Sequence, residues 1–389
     1  MLDCQSEKFS LPTEVSYLNC AYMSPLLNTV ASIGEFQVKR KGIPYTISLN
    51  DFFDPLEELK QSFAKLVNIE NPSRIAPIPS ASYGLSTVAR NLRVKPGFNI
   101  VVLEEQFPSN YYPWERLAKE KAGEIRVVRL PAVPGSRSLT WTEAILDQLD
   151  ENTALLAMSH THWADGTQFD LLALRQKTKD IGALLVIDGT QSVGALPFDV
   201  AEIQPDALIC AGYKWLLGPY SLGLGYFGPY FDEGVPIEEN WINRQDSDDF
   251  KNLVTYQSQY KPFAHRYGVG EQSNFILVPM LKAAIDQLLD WGVANIQQYC
   301  LELSASPVEQ LRAMGCQIEE EKYRSGHLFG VRLPKHLDGD KLQQLFAAHQ
   351  VFVSFRGSAV RVSPHLYNNE GDFTTFIKCF EQCFVPKLF

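Results

Sequence analysis

Apolar positions along this chain recur in two spacings that take turns. At 55–67 (PLEELKQSFAKLV) they fall every three to four residues, the period of one helix face. A turn-rich IPSASYG follows, and a second helical stretch runs to Ala89. Residues 100–103, an apolar run shortly after Pro96-Gly97, read as a buried strand. From there helical spacing at 113–122, 142–149 and 171–181 is interleaved with apolar runs at 125–130, 154–159, 183–187 and 207–211. Helix and strand alternating at this pace predict an α/β fold, a mostly parallel sheet with helices on both faces. In such sheets functional residues gather at the carboxyl ends of the strands. Asp188 and Lys214 each lie just past such an end.

The pattern then changes. Residues 279–298 read as one long helix, of the kind that bridges a large domain to a smaller one. After it come a helix, a strand at 327–333, a helix at 340–349, strands at 351–354 and 360–363, and a helix at 372–383. That is an α+β arrangement. The expected organisation is a large domain over 21–285, a small C-terminal domain over 286–389, and an N-terminal segment, 1–20, packing on the small one. A chain of 389 residues is too long for one ordinary core, which agrees with this division.

Composition narrows the partners. The net charge of −10 argues against nucleic acid or an anionic membrane as partner, since either favours a basic face. Seven scattered cysteines do not make a disulfide framework, and a reducing cytosol is expected. Cys379 and Cys383, four apart on an expected helix, suit a metal only with a second pair of ligands, which the sequence does not offer; they read as small apolar residues. MLDCQSEKFSLPTEV has no apolar core of a signal peptide, and no run of about 18 apolar residues suggests a membrane span. A cytoplasmic location is expected.

Five segments carry candidate chemistry. In Ala211-Gly-Tyr-Lys214-Trp-Leu-Leu-Gly, a lysine follows a strand in apolar company. Burial lowers an ammonium's pKa, and a lysine so tuned attacks an aldehyde; the alternative is a surface lysine on a loop. In Leu185-Val-Ile-Asp188-Gly-Thr-Gln191, a carboxylate ends an apolar strand. It is suited to a cationic ring nitrogen, or else to capping the next segment. Pro79-Ser80-Ala81-Ser82-Tyr83-Gly84 opens a helix, where free N–H groups and the helix dipole receive an anion, or where Ser80 or Ser82 is a plain N-cap. Phe107 follows the 100–103 strand and can stack on a planar ring or fill core. Arg361, inside the apolar VRVS, needs an anion, either a substrate carboxylate or an internal one.

Together these segments resemble the class V aminotransferase family of fold-type I pyridoxal 5′-phosphate (PLP) enzymes, which includes cysteine desulfurases, kynureninases and isopenicillin-N-epimerase-like proteins. The resemblance covers about residues 17–380 and rests on VIDGTQSVGALPFDV, AGYKWLLGPYSLGLGYFG and VRVSPHLYN. It implies the PLP-dependent transferase fold, with a seven-stranded type of sheet and a small α+β domain. It implies Lys214 as the Schiff-base lysine and proton shuttle, Asp188 on the pyridine nitrogen and Gln191 near the ring oxygen. Ala81 (through its backbone), Ser82 and the Tyr213 hydroxyl would meet the phosphate, Phe107 would stack on the ring, and Arg361 would hold the substrate carboxylate. Gly270-Glu271-Gln272-Ser273 matches a segment that reaches the neighbouring subunit's phosphate, implying a homodimer with shared sites and Gln272 as a cofactor contact. Trp241 is placed near the cofactor on the same grounds.

Departures from the family pattern matter. The stretch FRGSAVR holds no cysteine, which argues against the persulfide chemistry of the desulfurases. Glu271 stands where Thr is usual and is expected to point away from a phosphate it would repel. Ala211 replaces a common serine. The reading that results is a PLP enzyme acting on an amino acid, an aminotransferase or lyase. The alternatives are a kynureninase-like hydrolase or C–S lyase, suggested by Phe107-Pro108 and Tyr213, and a non-catalytic PLP-binding regulatory protein.

Overall fold

The computed structural model describes residues 2–130, 137–357 and 359–384. The strands, in chain order, are β1 (Ser16–Tyr17), β2 (Ile75–Ile78), β3 (Asn99–Leu103), β4 (Glu124–Val128), β5 (Thr153–Ser159), β6 (Leu184–Asp188), β7 (Ala207–Ala211), β8 (Gly223–Phe227), β9 (Phe329–Arg332), β10 (Val351–Phe352), β11 (Ser354–Arg356) and β12 (Ala359–Val362). Seven of them form one sheet in the order β2-β8-β7-β6-β5-β3-β4. Only β8 runs against its neighbours, so the other six point their carboxyl ends to one edge.

Strand alternation sends side chains to two cores. Val101, Leu156, Leu185, Ile187 and Leu208 pack on one face with Phe63, Leu281 and Ile285. Ile100, Leu155, Val186 and Ile209 pack on the other with Leu85, Val88 and Trp114. Helices therefore cover both faces, the arrangement that a buried parallel sheet requires. Each fully buried Leu, Ile or Phe removed from water contributes ~1.5–3 kcal/mol before chain entropy is subtracted.

The helices are α1 (Asn28–Lys41), α2 (Asp54–Leu66), α3 (Ala81–Asn91), α4 (Tyr112–Lys121), α5 (Arg137–Gln148), α6 (Leu171–Ile181), α7 (Val200–Ile203), α8 (Leu277–Trp291), α9 (Val293–Ala313), α10 (Gly339–Ala348) and α11 (Glu370–Phe384). The single helix expected at 279–298 is two, α8 and α9. They part at Gly292, whose φ of 75° and ψ of 120° no helix accommodates. The strand expected at 351–354 is likewise two short ones, separated at Val353.

After α9, strands β11-β12-β9 form a separate antiparallel sheet. It shares a third core with α10 and α11, in which Val331, Val360, Leu342, Phe376, Cys379 and Phe380 are buried. The N-terminal strand β1 pairs in parallel with β10, Ser16 beside Val351. Gln5 N donates to the Leu366 carbonyl, and Cys20 N to that of Ser363.

Candidate active site

Register assembles the site. Asp188, the last residue of β6, sits beside Ser159 at the end of β5 and beside Ile209 in β7. Two residues past Ile209, β7 ends at Ala211, and the turn Gly212-Tyr213 delivers Lys214 to the same edge. The loops after β3 and β2 supply Phe107 and the start of α3. These residues surround a cavity of about 190 Å³ whose walls include Ala81, Ser82, Phe107, Asp188, Gln191, Tyr213 and Lys214.

The two loops beneath the cavity are tied together. Ala211 N donates to Thr190 Oγ1 at 3.1 Å, and Trp215 Nε1 donates to Gln191 Oε1 at 2.9 Å. Gly194, at φ +105°, passes so close to the lysine loop that a Cβ there would lie 2.2 Å from the Trp215 carbonyl oxygen. Only glycine accepts both that angle and that approach. Gln191 Nε2 donates to the Ala21 carbonyl at 3.1 Å. Its amide is thus held at both ends, with one N–H to spare.

Lys214 is 6% exposed. Burial pulls its pKa down to about 8; the Arg361 charge adds to that and Asp188 opposes it. Its Nζ stands 5.5 Å from the centre of the Phe107 ring and the same distance from that of Tyr213. Asp188 is buried, and its Oδ1 accepts from Thr190 N at 3.0 Å. Burial raises its pKa, which its bonds to Thr190 and the Lys214 charge only partly counter. Among the described residues no cation forms an ion pair with it. Such a carboxylate is unfavourable unless a cation arrives.

At the mouth of α3, Ser80 caps the helix by accepting from Tyr83 N at 3.2 Å. Ala81 and Ser82 occupy the first turn, where N–H groups have no acceptor within the helix. Phe107 stands edge-on to Trp163, ring centres 5.5 Å apart. Among the wall residues that the sequence did not point to are Ser159, Asn110 and Trp163. Ser159 Oγ and Asn110 Nδ2 are buried, line the cavity and have no hydrogen-bond partner among the described residues. Trp163 lines it too and donates to the Glu105 carbonyl at 2.7 Å. Ser159 alone had a signal, as the last residue of an apolar run.

Arg361 is 1% exposed on β12. It donates to the Trp163 carbonyl at 2.9 Å and lies 5.9 Å from that indole's centre, so it meets the cavity through Trp163. Burial, then the nearby Arg356 charge, lowers its pKa to about 9. Two assigned cofactor contacts lie elsewhere. Trp241 is exposed, in an aromatic group with Phe52 and Phe250. Gln272 is buried against Asn243, donating to its Oδ1 at 2.9 Å. Within one chain neither reaches the cavity, because the chain segment carrying them is held on another part of the surface. Glu271 is exposed and adopts φ +56°.

The model of the family described as aminotransferase class-V matches residues 48–371. The chain belongs to that family. An uncharacterized aminotransferase of Bacillus subtilis is 24% identical over 89% of this chain and 92% of its own length. The isopenicillin N epimerase of Amycolatopsis lactamdurans is 24% identical over 94% of each. Among solved structures, the cystine C–S lyase C-DES in complex with its reaction product, cysteine persulfide, superposes with a TM-score of 0.82 at 16% identity, over 94% of this chain and 97% of that one. The protein is a PLP-dependent enzyme of class V. No helix among the described residues is long and apolar enough to cross a membrane.

The depressed pKa of Lys214 has a kinetic consequence. An ordinary lysine, near ~10.4, is almost wholly ammonium at neutral pH. With a pKa of about 8, roughly a quarter of Lys214 is free amine at pH 7.5. Were Lys214 the group that takes up PLP, uptake by the cofactor-free protein, followed by absorbance in a stopped-flow instrument, should accelerate up to pH ~8 and level off above it. A rate still climbing tenfold per unit beyond pH 9 would refute the assignment.

Proposed function

We propose that Lys214 anchors PLP at its aldehyde carbon and shuttles the proton of the substrate's α-carbon, in an enzyme that transfers an amino group from an amino acid or eliminates a group from it. The observation that carries this reading is the pairing, at one sheet edge, of a buried lysine of lowered pKa with a buried carboxylate that forms no ion pair among the described residues. The surroundings fit the cofactor. The first turn of α3 suits a phosphate, and Tyr213 lines the same cavity. Phe107 offers a ring face, and Asp188 awaits a protonated pyridine nitrogen. The spare N–H of Gln191 and the unpartnered Ser159 Oγ are available to the ring's polar edge. PLP, when bound, supplies an electron sink for the bond broken at the α-carbon. Lys214 would hold the cofactor through its amine, and that same amine, when free, would take up the α-proton. Arg361 orients the α-carboxylate.

Among the described residues the wall of this cavity includes no cysteine, and FRGSAVR has none, which supports a route without a persulfide. The placement of Trp241 and Gln272 away from their own chain's cavity supports a homodimer in which each serves its neighbour. Seven free cysteines suit a reducing, cytosolic setting. A kynureninase-like or C–S lyase reaction is the second reading, favoured by the two rings of Phe107 and Tyr213 beside Lys214 Nζ. Holoenzyme incubated with amino acids, with and without a 2-oxo acid, separates them. Amino-acid-dependent formation of a new amino acid from the 2-oxo acid is expected for transfer, and release of ammonia, alanine or sulfide for cleavage. If no amino acid gives any of these products or shifts the cofactor's absorbance, the enzymatic reading falls and a regulatory PLP protein replaces it.

A further inference from the structure

Arg356 is a charged group beside the site with no task in the reading above. It sits on β11, the strand hydrogen-bonded to the β12 strand of Arg361. Its guanidinium carbon is 5.3 Å from the centre of the Trp163 ring, and that of Arg361 is 5.9 Å from the same ring. Trp163 forms part of the cavity wall. Two guanidiniums therefore converge on one indole at the rim of the site.

Among the described residues no carboxylate forms an ion pair with Arg356 or Arg361. Arg356 NH1 donates to the Phe355 carbonyl at 2.8 Å, and its Nε is buried without a partner, as is that of Arg361. The fold does pair arginines where they are structural: Arg137 and Arg332 share the buried Asp165, each at 3.1 Å. The Arg356 charge is also felt across the site, lowering the pKa of both Arg361 and Lys214. Keeping two like charges close, partly dried and unmatched, is costly unless anions come to both. The α-carboxylate of an amino acid answers one of them.

We propose that Arg356 is a second anion anchor, which makes the substrate an α-amino acid with a further carboxylate on its side chain. A planar, bidentate fork suits a carboxylate, and its stacking on Trp163 fixes the plane in which it presents. This rests on the amino-acid reading of the site. A buried or half-buried site built around an ion discriminates strongly against a neutral isostere, because the isostere leaves the charge unmatched.

The test compares isosteres on the holoenzyme. Glutamate against glutamine, and aspartate against asparagine, are titrated while the bound cofactor's visible absorbance is followed. The acid of at least one pair should bind about 10–100-fold more tightly than its amide. R356Q should bring that ratio close to one, R356K should retain part of it, and R361Q should weaken acid and amide together. A wild-type ratio near one overturns the proposal without any variant. So does an R356Q enzyme that loses acid and amide equally, since Arg356 would then hold the shared α-carboxylate. If neutral amino acids shift the spectrum and the acids do no better, only the second anchor falls. If no amino acid shifts it, the amino-acid reading falls as well.

Discussion

Replacing Lys214 with alanine should lower turnover by at least about 10³-fold while leaving the cofactor able to bind. The size follows from the two tasks proposed for one nitrogen, covalent attachment and proton movement at the α-carbon. General acid–base work by a positioned group accounts for ~10²–10⁴-fold by itself. Cofactor binding should survive, because the start of α3, Asp188 and Phe107 are on other elements and none leans on the lysine for its position. The folded state should survive too, since truncation removes a buried charge that burial already disfavours. The measurements are product formation under the conditions that give wild-type turnover, and mass spectrometry after borohydride. Wild-type protein should gain a reduced cofactor on Lys214; K214A should gain none and yet retain PLP through gel filtration at saturating cofactor. Turnover within tenfold of wild type in K214A would sink the assignment. Lys214→Arg separates charge from nucleophilicity: it keeps the cation near Asp188 and should be as inactive as alanine.

How far the sequence disclosed this site depends on where each residue stands in its element. Asp188 and Lys214 were legible because the first ends an unbroken apolar run and the second follows one by a two-residue turn, and parallel register then brings such ends to one edge. Arg361 was legible because a guanidinium inside a four-residue buried strand demands an explanation. Strand β8 was not, since GLGYF lacks the branched residues that mark strands. Its glycines answer to neighbours that no local pattern shows; a Cβ on Gly223 would lie 2.4 Å from the Cys210 carbonyl oxygen. Helix α1 was silent because only Val30 and Gly34 of its fourteen residues are buried, so it carries little apolar periodicity. Gly292 inside an otherwise continuous helical pattern reads as a tolerated weakness, whereas its positive φ ends one helix and begins another. Trp163 and Asn110 sit in loops and became visible only when tertiary structure set them against Phe107 and the cavity. The same is true of Arg356: its sequence neighbours give it no charge partner, but only the fold shows that it shares an indole with Arg361.

Asp188→Asn should cut turnover by about 10²–10³-fold and raise the stability of the cofactor-free protein. The two effects have one cause. Burial raises the Asp188 pKa, so the folded protein holds that proton more tightly than the unfolded chain does. A carboxyl raised in this way contributes stability that is present below the ordinary carboxylate range and is lost as pH climbs through the folded pKa. At neutral pH the ionised form is therefore a strain on the cofactor-free protein. Asparagine removes the charge and keeps an oxygen for the Thr190 N–H. Cofactor-free D188N should melt above cofactor-free wild type at pH 7.5, and the gap should shrink as pH falls toward 4. With PLP bound the order should narrow or reverse if Asp188 holds the cofactor's ring nitrogen as proposed, since the wild-type carboxylate would then have a cation to face. The loss of turnover is of the size seen when one preorganised electrostatic partner is taken from a dry site, since a ring nitrogen without its carboxylate gives up its proton and draws electrons less well. Differential scanning fluorimetry of both forms across pH, beside product formation, reads the two effects separately. A D188N protein of unchanged activity, or one whose cofactor-free form melts lower at every pH, would show that this carboxylate is structural and that the cation it awaits is not the cofactor's.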